Sequence, residues 1–244
     1  MEAKGHPSRL VAGTSTSASV PFGGRGYGLR MPLSERVTVL DHPLVEHRLR
    51  WLRDEHTTNP EFLRIAGELS KYLAYEAFRD APLVDASVDT PVQKGVPAKV
   101  IDEEYLVVPI LRAGLGMVPA VQEVLPRSRV CLVGLRRNET TLEPDVYLDG
   151  LPERIDGYHV VVCDPMLATG GSLIQVVDML QGRGAREVTA LCLIASVPGT
   201  ERFTAAHPTA RVVAAAMDPT LNDVGYIVPG LGDAGDRLFG PPPR

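Results

Sequence analysis

The run Val160-Val161-Val162-Cys163-Asp164-Pro165-Met166-Leu167-Ala168-Thr169-Gly170-Gly171-Ser172 constrains this chain more than any other stretch. It sets a strand pattern, an acid, a small-residue loop and a helix start in direct succession. The valines are β-branched and lie between Gly157 and Gly170, which predicts a strand buried on both faces. After Ser172, the predicted N-cap, the apolar residues Leu173, Ile174, Val177 and Leu180 follow helical spacing. A doubly buried strand feeding a helix points to the α/β class, in which helices flank a mostly parallel sheet. Asp164 then falls at the carboxyl edge of that sheet, where α/β proteins bind ligands. A lone buried carboxylate there needs a partner or a use. The loop Thr169-Gly170-Gly171-Ser172 can turn several N–H groups, two hydroxyls and a helix N-terminus onto one anion. A tight turn that uses glycine only for its backbone freedom gives the same local pattern, and the acid tips the reading toward a ligand site.

The chain has 244 residues, 44% of them hydrophobic, enough for one substantial core. Its net charge is −5 with no basic run, which argues against a nucleic-acid surface. Cys131, Cys163 and Cys192 all fall in predicted core strands and show no Cys-x-x-Cys spacing, so they read as small apolar residues. The histidines form no metal or triad spacing. No apolar run reaches the ~18 residues that a membrane span needs, and the N-terminus lacks the apolar core of a signal peptide. The expectation is a cytoplasmic protein with no membrane partner.

Around the central run the chain divides by pattern. Residues 1–30, rich in Gly, Ser and Thr, have little to bury and predict a disordered tail ahead of a single domain over 31–244. Gly23, Gly24, Gly26 and Gly28 imitate a dinucleotide-binding fingerprint, but no strand precedes them and no amphipathic helix follows. Leu44, Leu49 and Leu52 predict one helix from Pro43. Thr57-Thr58-Asn59-Pro60 is a capping cluster, and Phe62, Ile65, Ala66, Leu69, Leu73 and Ala77 give a second helix with a wide apolar stripe. Residues 82–100, with Pro82, Pro91 and Pro97 among short Val-containing segments, predict a hairpin or arm. The acids Asp80, Asp85, Asp89 and Asp102-Glu103-Glu104 show no paired spacing and read as solvated. Core strands are predicted over 105–110, 130–135, 160–163, 188–195 and 211–217, with helices near 117–124 and 200–206 among them. That alternation implies a parallel, right-handed sheet of about five strands.

Three further stretches carry candidate chemistry. Arg112-Ala113-Gly114 sets a guanidinium beside a flexible loop at a strand end, and a guanidinium matches a diphosphate by paired hydrogen bonds. A surface arginine in a turn fits the same pattern. Arg136-Arg137-Asn138-Glu139-Thr140-Thr141-Leu142-Glu143-Pro144 is polar and without periodicity, which predicts a mobile loop. Residues 218–237 carry too many glycines and acids for regular structure, yet enough apolar residues to pack. Such exposed backbone suits either reading the edge of a flat heterocycle or simply closing over the sheet.

The central run, from Asp164 to Ser172, resembles the phosphoribosyl-diphosphate (PRPP) binding motif of type I phosphoribosyltransferases, in the wording of the uracil phosphoribosyltransferase branch. Pro165 stands where most type I relatives carry a second acid. Arg112-Ala113-Gly114 resembles the family's diphosphate-binding loop, and the stretch ending in Pro144 resembles its lid. Alignment through Asn138 makes Arg137 the matching arginine and leaves Arg136 as its unmatched neighbour. Gly225-Tyr226-Ile227-Val228-Pro229-Gly230-Leu231-Gly232-Asp233-Ala234-Gly235-Asp236 resembles the uracil-recognition signature. Arg53-Asp54, Thr57, Phe62 and Tyr75-Glu76-Ala77 resemble the family's N-terminal helices. The likeness covers roughly residues 41–240, with four motifs in family order.

The resemblance implies a type I phosphoribosyltransferase-like fold: N-terminal helices and an arm over 41–104, a PRPP-binding core over 105–217 and a C-terminal base-binding hood over 218–240. It implies transfer of the phosphoribosyl group from PRPP to uracil, giving UMP and diphosphate. The implied catalytic residues are Asp164, Arg137 and Asp233. PRPP binding is implied for Arg112, Arg137, Asp164, Pro165, Met166, Leu167, Ala168, Thr169, Gly170, Gly171, Ser172 and Asp233. Uracil binding is implied for Tyr226, Ile227, Gly232, Asp233 and Ala234, largely through backbone. Mg²⁺ is implied as a cofactor carried by PRPP and water rather than by a fixed protein cage. The resemblance also implies a non-proline cis peptide near Arg112 and a homodimer or higher homo-oligomer. It leaves activation by GTP open. Two other readings are a PRPP- or UMP-sensing regulator, which the acidic balance opposes, and a purine-specific enzyme, which the C-terminal signature opposes.

Overall fold

The computed structural model describes residues 35–137 and 144–241. The tail predicted over 1–30 and residues 138–143 of the loop predicted over 136–144 lie outside them. The first described elements are β1 (Val37–Val39) and the helices α1 (Pro43–Arg53) and α2 (Asn59–Ala77). Helix α2 starts at the predicted cluster: Thr58 is the N-cap, and its backbone N–H donates to the Glu61 carboxylate at 3.3 Å. The predicted stripe of α2 is buried along its length. The proline-punctuated stretch forms the expected hairpin, β2 (Leu83–Val88) antiparallel to β3 (Val96–Ile101).

The main sheet adds β4 (Glu104–Leu111), β5 (Arg129–Val130), β6 (Val133–Arg137), β7 (Pro144–Asp149), β8 (Tyr158–Cys163), β9 (Met166–Leu167), β10 (Glu187–Ser196) and β11 (Arg211–Asp218). Its order is β1-β11-β10-β8-β4-β6-β7, with β5 beside β4 and β9 beside β10. Every pairing is parallel except β6 with β7. The predicted core strands are present, and short or edge strands extend the sheet beyond the expected five. The stretch predicted as one strand over 130–135 divides instead: β5 pairs with β4 at Leu106 and Val107, while β6 pairs with it at Ile110 and Leu111. Cys131 therefore lies half-buried in the break rather than in a core strand, whereas Cys163 and Cys192 are buried as expected; all three are free thiols.

A short 3₁₀ turn, Ala113–Met117, leads from β4 into α3 (Val118–Val124); α4 (Gly171–Gly182) and α5 (Val197–Ala206) follow β9 and β10. Alternate side chains of the central strands point to opposite faces. Val107, Val161, Leu191 and Val213 pack with α1, α2 and α3, while Val108, Val162, Cys192 and Val212 pack with Leu173, Val177 and Leu180 of α4 and Phe203 of α5. Both faces are covered, which is why these strands read as unbroken apolar runs.

The C-terminal segment is more regular than its composition predicts. It contains β12 (Thr220–Leu221) antiparallel to β13 (Ile227–Val228), then α6 (Ala234–Phe239). Its acids and amides act as turn and cap groups. The Asn222 side chain accepts the N–H groups of Val224 and Tyr226 at 3.1 and 2.9 Å, and Asp233 Oδ1 accepts the N–H of Asp236 at 2.9 Å as the cap of α6. Ile227, Leu231, Ala234 and Leu238 pack into the α1–α2 face of the core, anchoring the segment there.

Candidate active site

Strands β4 and β8 end side by side, and their carboxyl edge opens into a cleft of about 300 Å³. Its walls are Leu135, residues 110–113, Asp164, residues 166–173, Asp233 and Gly235. The loop after β9 is built around Gly170, which has φ +80° and is the N-cap of α4. This corrects the expectation for Ser172, which lies within the helix. The chain must turn through the left-handed region to enter α4, which favours glycine over serine. A Cβ at 170 would also lie 2.9 Å from the Gly199 carbonyl oxygen.

The start of α5 supports this loop from behind. Ser196 Oγ donates to the Ala168 carbonyl at 2.6 Å and accepts the Gly199 N–H at 2.9 Å. Arg202 donates to the Thr169 carbonyl at 3.3 Å. A Cβ at Gly199 would overlap the Ala168 oxygen, at 1.9 Å. The carbonyls of Ala168 and Thr169 are thus held on the far side, and the N–H groups of residues 169–173 have no acceptor among the described residues. Free N–H groups at the start of a helix form a seat for an anion.

Asp164 occupies the floor beside that seat. The one hydrogen bond to its carboxylate among the described residues is a long one, from the Met166 N–H at 3.4 Å. Burial pushes its pKa up to about 7, against a weak opposing pull from that N–H. Burial, and secondarily Asp164, raises the adjacent Cys163 thiol to about 12, which leaves it inert as a nucleophile. Pro165 is buried beneath the cleft rather than lining it, and its carbonyl accepts the Ile194 N–H at 3.0 Å.

Across the cleft, the peptide bond between Leu111 and Arg112 is cis, as the resemblance implies. A Cβ at Gly114 would lie 2.2 Å from the Cys163 carbonyl oxygen, so glycine lets this loop lie against the end of β8. The Arg112 guanidinium donates to Asp236 Oδ1 at 3.0 Å, next to Gly235 and Asp233. The structure therefore gathers Arg112, Asp164, residues 166–172 and Asp233 around one cleft. Tyr226, Ile227, Gly232 and Ala234 do not line it: Ile227 and Ala234 are buried in the core, and Tyr226 and Gly232 are exposed. Arg136 pairs with Asp145 across the β6–β7 hairpin at 3.2 Å, and the side chain of Arg137 lies outside the described residues.

Sequence reasoning missed Ser196, Gly199 and Arg202 behind the loop at 168–170, and Asp236 as the partner of Arg112. A Ser-Val-Pro start at residue 196 is a helix N-terminus signal that locates the first of these. Glu103, read above as solvated, is half-buried: it accepts from the Tyr105 hydroxyl and lies 3.8 Å from His159 Nδ1. Strands β4, β8 and β10 begin side by side, which brings Glu103, His159 and Glu187 together at the amino edge of the sheet. Among the described residues this is the one trio of potential metal ligands, and it stands at the other edge from the cleft.

An anion seat at a helix N-terminus, an acid at the adjoining strand end and a guanidinium opposite stand together at the carboxyl edge of a parallel sheet, the arrangement expected from the resemblance to type I phosphoribosyltransferases. The particular family follows from comparison with known proteins. The family model described as uracil phosphoribosyltransferase matches residues 39–241, and the chain belongs to that family of phosphoribosyltransferases. The uracil phosphoribosyltransferase of Pediococcus pentosaceus is 48% identical over 202 residues, covering 83% of this chain and 97% of that protein. Its counterpart in Ligilactobacillus salivarius is 45% identical with the same coverage. A solved structure of a protein from Aquifex aeolicus superimposes with a TM-score of 0.79 at 36% identity, over 84% of this chain and 98% of that one. Among the described residues, no helix is long and apolar enough to cross a membrane.

Proposed function

We propose that this protein transfers the 5-phosphoribosyl group of PRPP to uracil, releasing UMP and diphosphate. The observation that carries this reading is the loop at residues 169–173, whose N–H groups have no acceptor among the described residues and face the cleft beside Asp164. In this reading they seat the 5′-phosphate, and Asp164 holds the ribose hydroxyls. As the ring nitrogen of uracil attacks the anomeric carbon, positive charge develops on the ribose and negative charge on the departing diphosphate. Arg112 and Arg137 stabilise the departing charge, and Asp164 stands near the cationic ribose. The backbone of residues 227–234 reads the edge of the base, with Asp233 between the base and PRPP sides.

The donor set suits Mg²⁺ carried by the substrate. Asp164 and Asp233 offer hard oxygen ligands, while the cleft holds no trio of potential ligands among the described residues. When bound, the ion supplies further neutralisation of the diphosphate. A single domain over 31–244 and a homo-oligomer belong to the same reading, and activation by GTP stays open.

Two measurements test the reading. A direct assay with uracil, hypoxanthine and adenine is expected to give product with uracil alone; turnover of either purine at a comparable rate overturns the base assignment. Arg137→Ala is expected to lower kcat by about 100-fold or more with the melting temperature unchanged, because it removes a donor to charge that grows in the transition state. Arg136→Ala, which loses an exposed pairing with Asp145, is expected to retain activity within about threefold. The reverse order assigns the lid contact to Arg136.

A further inference from the structure

Besides the Arg112–Asp236 pair at the cleft, contacts from the N-terminal helices hold the segment read above as base-binding. Two arginines crossing in opposite directions do this. Arg53, the last residue of α1, forms a two-point pair with Asp218 at the end of β11, with both N–O distances 2.7 Å. Arg53 also donates to the Gly230 carbonyl at 2.8 Å, and Asp218 accepts the Gly230 N–H at 2.8 Å. The backbone N–H and the carbonyl of Gly230 are thereby both held by one ion pair. Asp218 is buried and Arg53 partly so, which weakens solvent competition for the pair.

Arg237 reaches the other way. From α6 its guanidinium donates to the Leu52 and Asp54 carbonyls at the end of α1, at 2.6 and 2.5 Å, and to the Leu231 carbonyl at 3.0 Å. It lies over the Phe62 ring of α2, 4.4 Å from the centroid. These are carbonyls at a helix C-terminus, where a cation is favoured. Asn59 adds two bonds, to the Asp236 and Arg237 carbonyls at 3.1 and 3.0 Å. Gly230 and Leu231 thus sit between two guanidinium groups, each tied to the junction of α1 and α2. The turn leaves no room for a side chain: Gly230 has φ +60°, and a Cβ there would lie 2.1 Å from the Ile227 carbonyl oxygen.

We infer that Arg53, Asp218 and Arg237 are positioning residues for base recognition. They touch no substrate; they set the backbone at Gly230 and Leu231, and through it the flanking groups of Ile227 and Gly232 that read the base edge. The inference rests on the assignment of residues 227–234 to uracil. It accounts for why α1, which does not line the cleft, ends in an arginine paired with Asp218.

Steady-state kinetics on the full chain separates the possibilities. Arg53→Ala is expected to raise the KM for uracil at least about tenfold while the KM for PRPP stays within about twofold, since the phosphate loop is held independently by α5. Arg53→Lys keeps the charge and loses the paired geometry, so an intermediate uracil KM is expected; this variant carries the test if the alanine form does not fold. Gly232→Ala, which forces a side chain into a φ of +82°, is the direct probe of the base segment. A raised uracil KM in Gly232→Ala alone, with both Arg53 variants unchanged, overturns the clasp and keeps the base assignment. No change in any of the three overturns the base assignment and the clasp with it. Equal rises in both KM values for the Arg53 variants reduce the pair to a structural role and also overturn the inference.

Discussion

Asp164→Asn is expected to lower kcat/KM for phosphoribosyl transfer on the order of 100-fold, because it removes the one formal negative charge on the cleft floor beside the developing positive ribose. The same substitution has a second, opposite consequence for stability. Burial raises the Asp164 carboxyl from the ordinary carboxylate range to about 7 in the ligand-free protein. A carboxyl whose folded pKa lies above its unfolded pKa binds its proton more tightly in the native state. Its stabilising contribution is complete below about pH 4 and is lost as pH rises toward 7. Above pH 7 the native state carries a desolvated carboxylate, at a cost on the order of a few kcal/mol. Asp164→Asn is therefore expected to melt higher than the wild type at pH 8, with the gap closing as the pH falls to 4. Thermal melts at a series of pH values check this; a pH-independent difference would show that the carboxyl is not desolvated. PRPP hydroxyls that hydrogen-bond to the carboxylate favour the ionised form, so PRPP affinity is expected to rise with pH through 7. That dependence should be absent in the Asn variant.

Gly170→Ala is the second substitution expected to have a large effect. A non-glycine residue at φ +80° costs roughly 1–2 kcal/mol, and the new Cβ meets the Gly199 carbonyl oxygen at 2.9 Å. The strain falls on the residue that turns the free N–H groups toward the cleft. The KM for PRPP is expected to rise by about 30-fold or more, with the KM for uracil changed far less. Gly182→Ala, in the last turn of the same helix with no heavy atom within 4 Å of its Cβ and an ordinary φ, is the matching control. It is expected to leave both KM values unchanged. Equal behaviour of the two variants would mean that the loop conformation does not govern phosphate binding.

These two residues also mark how far the chain can be read without coordinates. Asp164 was legible because an acid ending a β-branched run has few structural explanations. Gly170 is legible as part of a loop, but propensity favours Ser172 over it as the N-cap. What decided otherwise was the sign of φ, set by where α5 lies behind the loop. Arg112 stood out beside its glycine, whereas Asp236, its partner 124 residues away, carried no local signal. Glu103 looked solvated because its neighbours in space, His159 and Glu187, belong to strands far along the chain.

The strand and helix periodicities by themselves determined the α/β class, the covered sheet and the order of the motifs. Each depends on residues within one or two turns of each other, where side-chain spacing maps directly onto burial. Only the tertiary structure decided the contacts between segments. It placed the carbonyls of residues 168–169 against Ser196 and Arg202, leaving their neighbours' N–H groups facing the cleft. It split the strand near Cys131, and it crossed Arg53 and Arg237 around the Gly230 turn. Such pairings arise when the packed core brings distant elements into register, and a hydrogen bond between residues more than 150 positions apart leaves no periodic trace in the sequence.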